Sequence, residues 1–451
     1  MPLKRRTEVK IMKKRVKKLT SLLLAVIMAA TSFVFSPVLA DAAVIDAQIS
    51  TVDFWASCTD AQAGGELGTV RAHYLESSAS GNVYLFLPSQ ADLSNVKILF
   101  NASSCKINGT EISNGAATDL FASGGKGETY SLTLGTASYT LAVYKSAQIG
   151  AVYFNTESGN TDNIDYSTSN KLHTVSESGT IMVVEPDGTV DYNGVLEKIQ
   201  GRGNGTWSDS SKKLPYNIKL AASTSLLGMG KAKKWVLLAN DNEDTLINNQ
   251  LSYDFAKYIG VQYQVIGKPV DVYANGKYMG NYLLTEKVEI KSNRVAINDS
   301  YEALEIANGT TDSATGVVTP ADFDARTDIT ARYLDSSDKD LEAPSSYLTA
   351  QTVGNRKFTA IKKTIGISGA ITTSYSDLTD PADLTGGYIY ELEISQRWVE
   401  ENVGFCSYNR QGWVIKSHDY ASRRQVDYSY KLLYALGSSV YNGGTVPSSS
   451  K

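Results

Sequence analysis

The residues best suited to chemistry begin at a glycine-punctuated turn, Gly201-Arg-Gly-Asn-Gly-Thr-Trp207. Successive main-chain amides around three glycines can fold into a concave nest for an anion, and Arg202 adds a planar fork of donors. The run Lys212-Lys-Leu-Pro-Tyr-Asn-Ile-Lys-Leu220 follows. If Pro215 to Leu220 is extended, Ile218 and Leu220 face a core and Lys219 faces the other way, toward a phosphate or toward solvent. The loop lacks both the Gly-Lys-Ser/Thr ending of the P-loop and the spacing of the dinucleotide fingerprint. Alone it is a plain turn more often than an anion site, glycine being common in loops; Arg202 and the lysine-bearing strand that follows give it weight.

The acids are Asp241, Glu243 and Asp244, Glu286 at the end of a strand, and Glu391 with Glu393 on one face of another. The first three precede a helical pattern and suit capping more than metal binding, since negative charge is favourable at a helix N-terminus. Glu391 and Glu393 could be ion-pair partners or an acid and base, and nothing in the sequence sets their separation. His73, His173 and His418 are scattered without the spacing of a metal site or triad. Cys58, Cys105 and Cys406 do not make a zinc site. A Cys58–Cys105 disulfide is open to an extracellular protein but is not fixed by the sequence.

The elements that must position these groups are short. Ile181–Val184 and Thr189–Asn193 are strands around a Pro-Asp-Gly turn; Lys234–Ala239 is an apolar run. Thr245–Ile259 carries three-to-four spacing, with Asp244 as N-cap and Gly260 as stop. Val270–Glu286 reads as a hairpin turning at Asn275-Gly276. Tyr301–Asn308 and Arg423–Leu436 read as helices, and Thr310–Thr385 as an insertion or lid.

Upstream the pattern changes. Val83–Leu87, Val96–Phe100, Tyr130–Leu134, Tyr139–Tyr144 and Ala151–Phe154 are rich in β-branched and aromatic residues, with Asn-Gly turns at 108–109 and 114–115. An immunoglobulin-like sandwich over 43–155 buries both sheet faces, with 156–170 as a linker and a second domain over 171–451. At the start, Lys13-Lys-Arg-Val-Lys-Lys18 precedes an apolar run ending in small residues near Ala40 and Ala42, so residues 1–42 read as a secretory signal peptide. Residues 1–40 hold nine of the 43 Lys/Arg and one of the 47 Asp/Glu, which leaves 34 basic and 46 acidic residues and a net charge of −12. That sign argues against a diffuse nucleic-acid binder. No later apolar run is expected to span a membrane, so the reading is a secreted or cell-surface protein.

In this order, Arg202–Trp207, Lys212–Lys219, Trp235–Asn240, Asp271–Glu286, Gly387–Glu393 and Val414–Ser417 resemble the spore-coat protein H (CotH) kinase family over roughly residues 180–436. The upstream sandwich is similar to modules that precede this domain in secreted proteins of cellulose-degrading anaerobes. The resemblance implies an α+β, atypical protein-kinase-like fold after an all-β sandwich. It implies ATP and Mg²⁺ as cofactors and transfer of the γ-phosphoryl group to protein hydroxyls. It assigns the arginine-glycine loop to Arg202, Gly203 and Thr206, the nucleotide lysine to Lys219 with Lys213 as rival, and a further site role to Glu286. Arg202 and Lys219 are expected close together, with Glu286 facing the same cleft.

Family members continue into a helical region bearing an Asn-x-Asp segment and a later Trp-Asp-x-Asp segment. Neither follows the Val414–Ser417 strand and its helix before Lys451, so the domain reads as incomplete, its catalytic and metal residues unassigned, binding nucleotide weakly without turnover. The alternative reading is a non-catalytic binding module of an extracellular, cellulosome-like complex; a carbohydrate-active enzyme ranks below both.

Overall fold

The computed structural model describes residues 51–60, 66–74, 81–170, 173–203, 205–323, 331–334, 348–353, 356–361, 373–376, 378–385, 387–393, 406–408, 411–418, 420–422, 424–425, 428–429 and 432. The expected signal peptide, and most of the expected insertion and C-terminal helix, lie outside them. Among the described elements are two helices, and the rest is β-structure.

The N-terminal part contains β1 (Thr51–Asp60), β2 (Glu66–His73), β3 (Asn82–Leu87), β4 (Ala91–Phe100), β5 (Cys105–Ile107), β6 (Thr110–Ile112), β7 (Ala117–Thr118), β8 (Lys126–Leu134) and β9 (Ala137–Lys145). β3 alternates buried and half-buried positions, as expected of a strand with one face in a core. The turn between β5 and β6 is Asn108-Gly109, both at positive φ (49° and 79°), as the tight hairpin requires. Phe54, Val83, Leu85, Ile98, Leu132 and Leu141 meet in one apolar core.

Seven further strands close on themselves. They are β10 (Gly150–Thr156), β11 (Ser176–Val184), β12 (Val190–Gly201), β13 (Tyr216–Leu226), β14 (Met229–Leu238), β15 (Gly267–Ala274) and β16 (Lys277–Glu286). The order runs β14-β13-β12-β11-β10-β15-β16, and β16 pairs back onto β14 through Trp235↔Glu286 and Leu237↔Leu284. The β10–β15 pair is parallel and the others antiparallel. Closure leaves no open sheet edge along this path, and the interior fills with side chains from alternate positions. Val152, Phe154, Ile199, Tyr216, Ile218, Trp235, Leu237, Tyr282 and Leu284 form that filling.

β10 was expected as the last strand of the sandwich, and it pairs on both sides with strands of the barrel. Its sequence explains how it serves both cores. Val152 and Phe154 enter the barrel core, while Ala151 and Tyr153 on the opposite face enter the core of the N-terminal β-rich part together with Tyr273 of β15. A strand buried on both faces reads as an unbroken apolar run rather than an alternation. The rings of Tyr153 and Tyr273 stack at 4.8 Å and 12°.

The polar stretch expected as a linker is fastened to the barrel. Ile164 is part of the barrel core. The hydroxyl of Tyr216 donates to Asp165, whose other carboxylate oxygen accepts from Thr161 at 2.8 Å. Asn170 is buried and donates to the carbonyls of Ile164 and Asp165.

Helix α1 (Asn248–Tyr258) follows the acidic turn, and helix α2 (Ser300–Ala307) follows Asp299, whose carboxylate accepts from the amides of Tyr301 and Glu302. Cys105 is a free, buried thiol whose pKa burial pushes up to about 11. The side chains of Cys58 and Cys406 lie outside those described.

Candidate anion site at the mouth of the barrel

Two rows of residues in register set the geometry. Gly201, Tyr216, Leu237 and Leu284 form the row at the mouth, and Ile199, Ile218, Trp235 and Glu286 form the row one step deeper on the same inner side. The glycine loop leaves β12 at the mouth. Its first glycine lies beneath the Trp207 ring: a Cβ on Gly201 would stand 1.9 Å from that ring. The indole N–H of Trp207 donates to the Asn170 carbonyl at 3.3 Å, and Tyr166 and His173 meet the ring edge-on at 5.9 and 5.8 Å. The segment expected as a linker thus holds the glycine loop in place.

Gly203 turns at φ +91°, a conformation that excludes most side chains, while the Arg202 amide donates to the Pro215 carbonyl at 3.1 Å. Thr206 lies half-buried in the same turn. Asn204 lies outside the described residues. The charge of Arg202 acts on the phenol of Tyr253 from α1, lowering a pKa that burial raises, so the loop and α1 face one another.

Lys213 crosses the mouth. Its ammonium donates to the Asn281 carbonyl at 2.7 Å and stands 5.2 Å from the centre of the Tyr282 ring. A Cβ on Gly280, at φ +104°, would come within 3.0 Å of the Lys213 stem, so the glycine leaves room for the lysine to lie across β16. Burial lowers the Lys213 pKa, and the charges of Asp241 and Glu243 oppose that shift. The Asp241 carboxylate also accepts from the Lys212 amide at 2.8 Å, and a Cβ on Gly205 would lie 3.1 Å from the Asn242 amide nitrogen. The loop, Lys213, the acidic turn and the start of α1 therefore converge.

The acidic turn does cap α1, through Glu243 rather than Asp244: its carboxylate accepts from the Asn248 amide at 2.9 Å. Ile247 occupies the N-cap position without a side-chain bond.

Lys219 and Glu286 do not share a cleft. Lys219 lies between the inward-facing Ile218 and Leu220, on the outer side of the wall, in an ion pair with Glu197. Glu286 belongs to the inner row and is ion-paired with Arg294, both side chains almost wholly buried. Arg294 lies 5.0 Å from the Trp235 ring centre and donates to the Gly230 carbonyl at 3.0 Å. Glu286 also accepts from the Ile266 amide at 3.2 Å. Burial raises its pKa and Arg294 opposes the rise. Arg294 had no signal in the sequence, because the pairing depends on barrel closure.

A family model described as CotH kinase protein matches residues 199–372. A CotH kinase-family domain occupies that stretch. The CotH match opens in the inner rows of β12 and takes in the glycine loop, Lys213, α1 and the β15–β16 hairpin. Among curated proteins, nothing matches the chain. Among solved structures, a candidate glycoside hydrolase from Bacteroides thetaiotaomicron is 11% identical, with 73% of this chain and 82% of that one covered; its TM-score of 0.12 carries no argument.

Arg202, Gly203 at φ +91° and Lys213 lie on the segments that flank the mouth. For Mg²⁺ the fit fails among the described residues, where no group of three or more His, Cys, Asp or Glu is arranged to hold a metal ion. Among the same residues no helix is long and apolar enough to cross a membrane.

Proposed function

We propose that this is a secreted, CotH-type atypical kinase-fold protein that binds the phosphates of ATP at the barrel mouth, with protein hydroxyls as the acceptor class. Phosphoryl transfer depends chiefly on positioning and on neutralising developing charge. Arg202 and Lys213 supply positive charge beside the turn at Gly203. Lys213 takes the role of nucleotide lysine in this reading, because it stands at the mouth while Lys219 lies on the outer wall. The observation that carries the reading is the seating of Lys213 over Gly280 and Tyr282 beside the glycine loop, inside the CotH-matched stretch.

Glu286 serves the scaffold, and Thr206 completes the loop. The kinase-like unit is drawn to include β10 and the segment fastened beneath Trp207, after an immunoglobulin-like sandwich and a cleaved leader. No step is derived through a metal.

Calorimetric titration of the full chain with ATP, with and without Mg²⁺, tests the proposal. Lys213→Ala should weaken ATP binding about tenfold or more, in line with loss of a charge-assisted contact of about 1.5–3 kcal/mol, and Lys219→Ala should leave it nearly unchanged. Equal affinities for Lys213→Ala and the parent would remove Lys213 from the site.

A second reading, a docking module of an extracellular complex, is favoured by α1. Leu251, Phe255, Tyr258 and Ile259 are exposed on that helix and its end. Contiguous exposed apolar surface of this kind marks interaction sites. Retained partner binding by a Lys213→Ala protein that has lost ATP binding would favour it.

A further inference from the structure

The outer wall of the barrel carries a feature that the mouth does not use. Lys198 on β12 is in register with Lys219 on β13, and Lys219 with Lys234 on β14. Adjacent strands lie about 4.8 Å apart, so the three lysines span about 10 Å in a line across the strands. Like charges directly opposite one another on a sheet are destabilising. One carboxylate, Glu197, pairs with Lys219. Lys198 and Lys234 are exposed and have no ion-pair partner among the described residues. The environment of Lys198 registers the crowding: partial burial and then the charges of Lys219 and Lys234 lower its pKa.

The next row on the same face is Gln200, Asn217 and Val236. It offers amide donors and no aromatic ring, so among the described residues this row gives no base-stacking platform of the kind that single-stranded nucleic acid uses. The patch also stands out against the acidic balance of the chain after its leader. A row of point charges on flexible stems suits phosphate oxygens without demanding the planar geometry that arginine provides.

We propose that the Lys198–Lys219–Lys234 row binds a linear, flexible chain of closely spaced phosphates, lying across β12, β13 and β14. One tetrahedral anion can meet one or two of the ammonium groups, whereas a chain can meet all three and relieve their mutual repulsion. This site is separate from the nucleotide reading, which rests on Lys213 at the mouth.

The test is titration of the full chain with medium-length inorganic polyphosphate at several salt concentrations, beside orthophosphate, a single-stranded oligonucleotide and MgATP as competitor. The double variant Lys198→Ala/Lys234→Ala leaves the Lys219–Glu197 pair intact. It should bind polyphosphate at least about tenfold more weakly and lower the salt slope by roughly two. The charge-reversed Lys198→Glu/Lys234→Glu protein should lose binding, with an unchanged thermal midpoint showing that the barrel is folded. MgATP should not displace the polymer, and the double variant should retain whatever ATP affinity the parent has. Unchanged polymer binding in the double variant would overturn the proposal. So would complete displacement by MgATP, orthophosphate binding as tight as the polymer, or a preference for the oligonucleotide. Failure of ATP binding alone would count against the mouth and leave the lysine row standing.

Discussion

Arg294 and Glu286 form an ion pair inside the end of the barrel, with side chains 2% and 8% exposed. The pair draws Gly230, Trp235 and Ile266 together at the point where β14 meets β16. Removing one member leaves an uncompensated buried charge, which is far costlier than replacing both. Arg294→Ala should therefore destabilise the fold by about 3–5 kcal/mol. Arg294→Met combined with Glu286→Leu should recover much of that loss. Urea unfolding of the three proteins, read at Trp fluorescence, measures both effects; equal stability of the parent and Arg294→Ala would show that the pair does not hold the closure.

How much of this was legible beforehand follows from the range of each interaction. The Asn275-Gly276 turn was readable because its signal is local, and both residues take positive φ, 50° and 80°. The stop of α1 at Gly260 was local too: its φ is +73° and its amide donates to the Lys257 carbonyl. The outward direction of Lys219 follows from alternation with Ile218 and Leu220. The same alternation through Tyr282 and Leu284 would have turned Glu286 inward. Closure of β16 onto β14 could not be read, since it joins strands across an intervening helix and leaves no periodic mark. The attachment of residues 157–170 was hidden by their polarity: Ile164 enters the core, Tyr216 and Trp207 donate to the segment, and Ser158 and Asn163 donate to Glu177 of β11.

His418 sets an acid limit. Its ring is buried, stacked on Tyr388 at 5.2 Å, with Nε2 3.0 Å from the Ser300 hydroxyl and Nδ1 2.8 Å from that of Ser417. Burial lowers its pKa from 6.5 to about 3. The unfolded chain binds this proton more readily, so the contribution is fully present above about pH 6.5 and is lost as the pH falls toward about 3. The loss is on the order of 5 kcal/mol. His418→Gln should be less stable at neutral pH but show a shallower acid limb than the parent; parallel limbs in pH-dependent chemical unfolding would contradict the assignment.

Glu185 acts in the opposite direction. Burial, then its hydrogen bond with Asp191 and the charges of Asp191 and Asp187, raise its pKa from 4.5 to about 7, against the pull of Lys268. A carboxyl group whose folded pKa is raised stabilises the fold while protonated. That contribution is complete below about pH 4.5 and disappears as the pH rises through about 7. Glu185→Gln keeps a neutral group at the site, so its stability relative to the parent should grow between pH 5 and pH 8. A constant difference across that interval would place the proton elsewhere.

Gly201 connects the barrel wall to the loop that this reading assigns to phosphate. The position needs no positive φ; what it needs is room, because the Trp207 ring occupies the place a methyl group would take. Gly201→Ala must push the indole away from the mouth, breaking its bond to Asn170 and its contacts with Tyr166 and His173. The residues beneath the loop keep their own ties to the barrel through Ile164 and Asp165. The damage should thus stay local, a loss of about 1–3 kcal/mol as expected for overpacking, with the barrel still folded. Trp207→Leu should loosen the loop in the same way without the clash. Limited proteolysis between Gly203 and Lys213 should accelerate in both variants, and ATP affinity should fall in both. Accelerated cleavage with unchanged ATP affinity would detach the loop from the nucleotide site, while unchanged cleavage would mean that Trp207 does not anchor it.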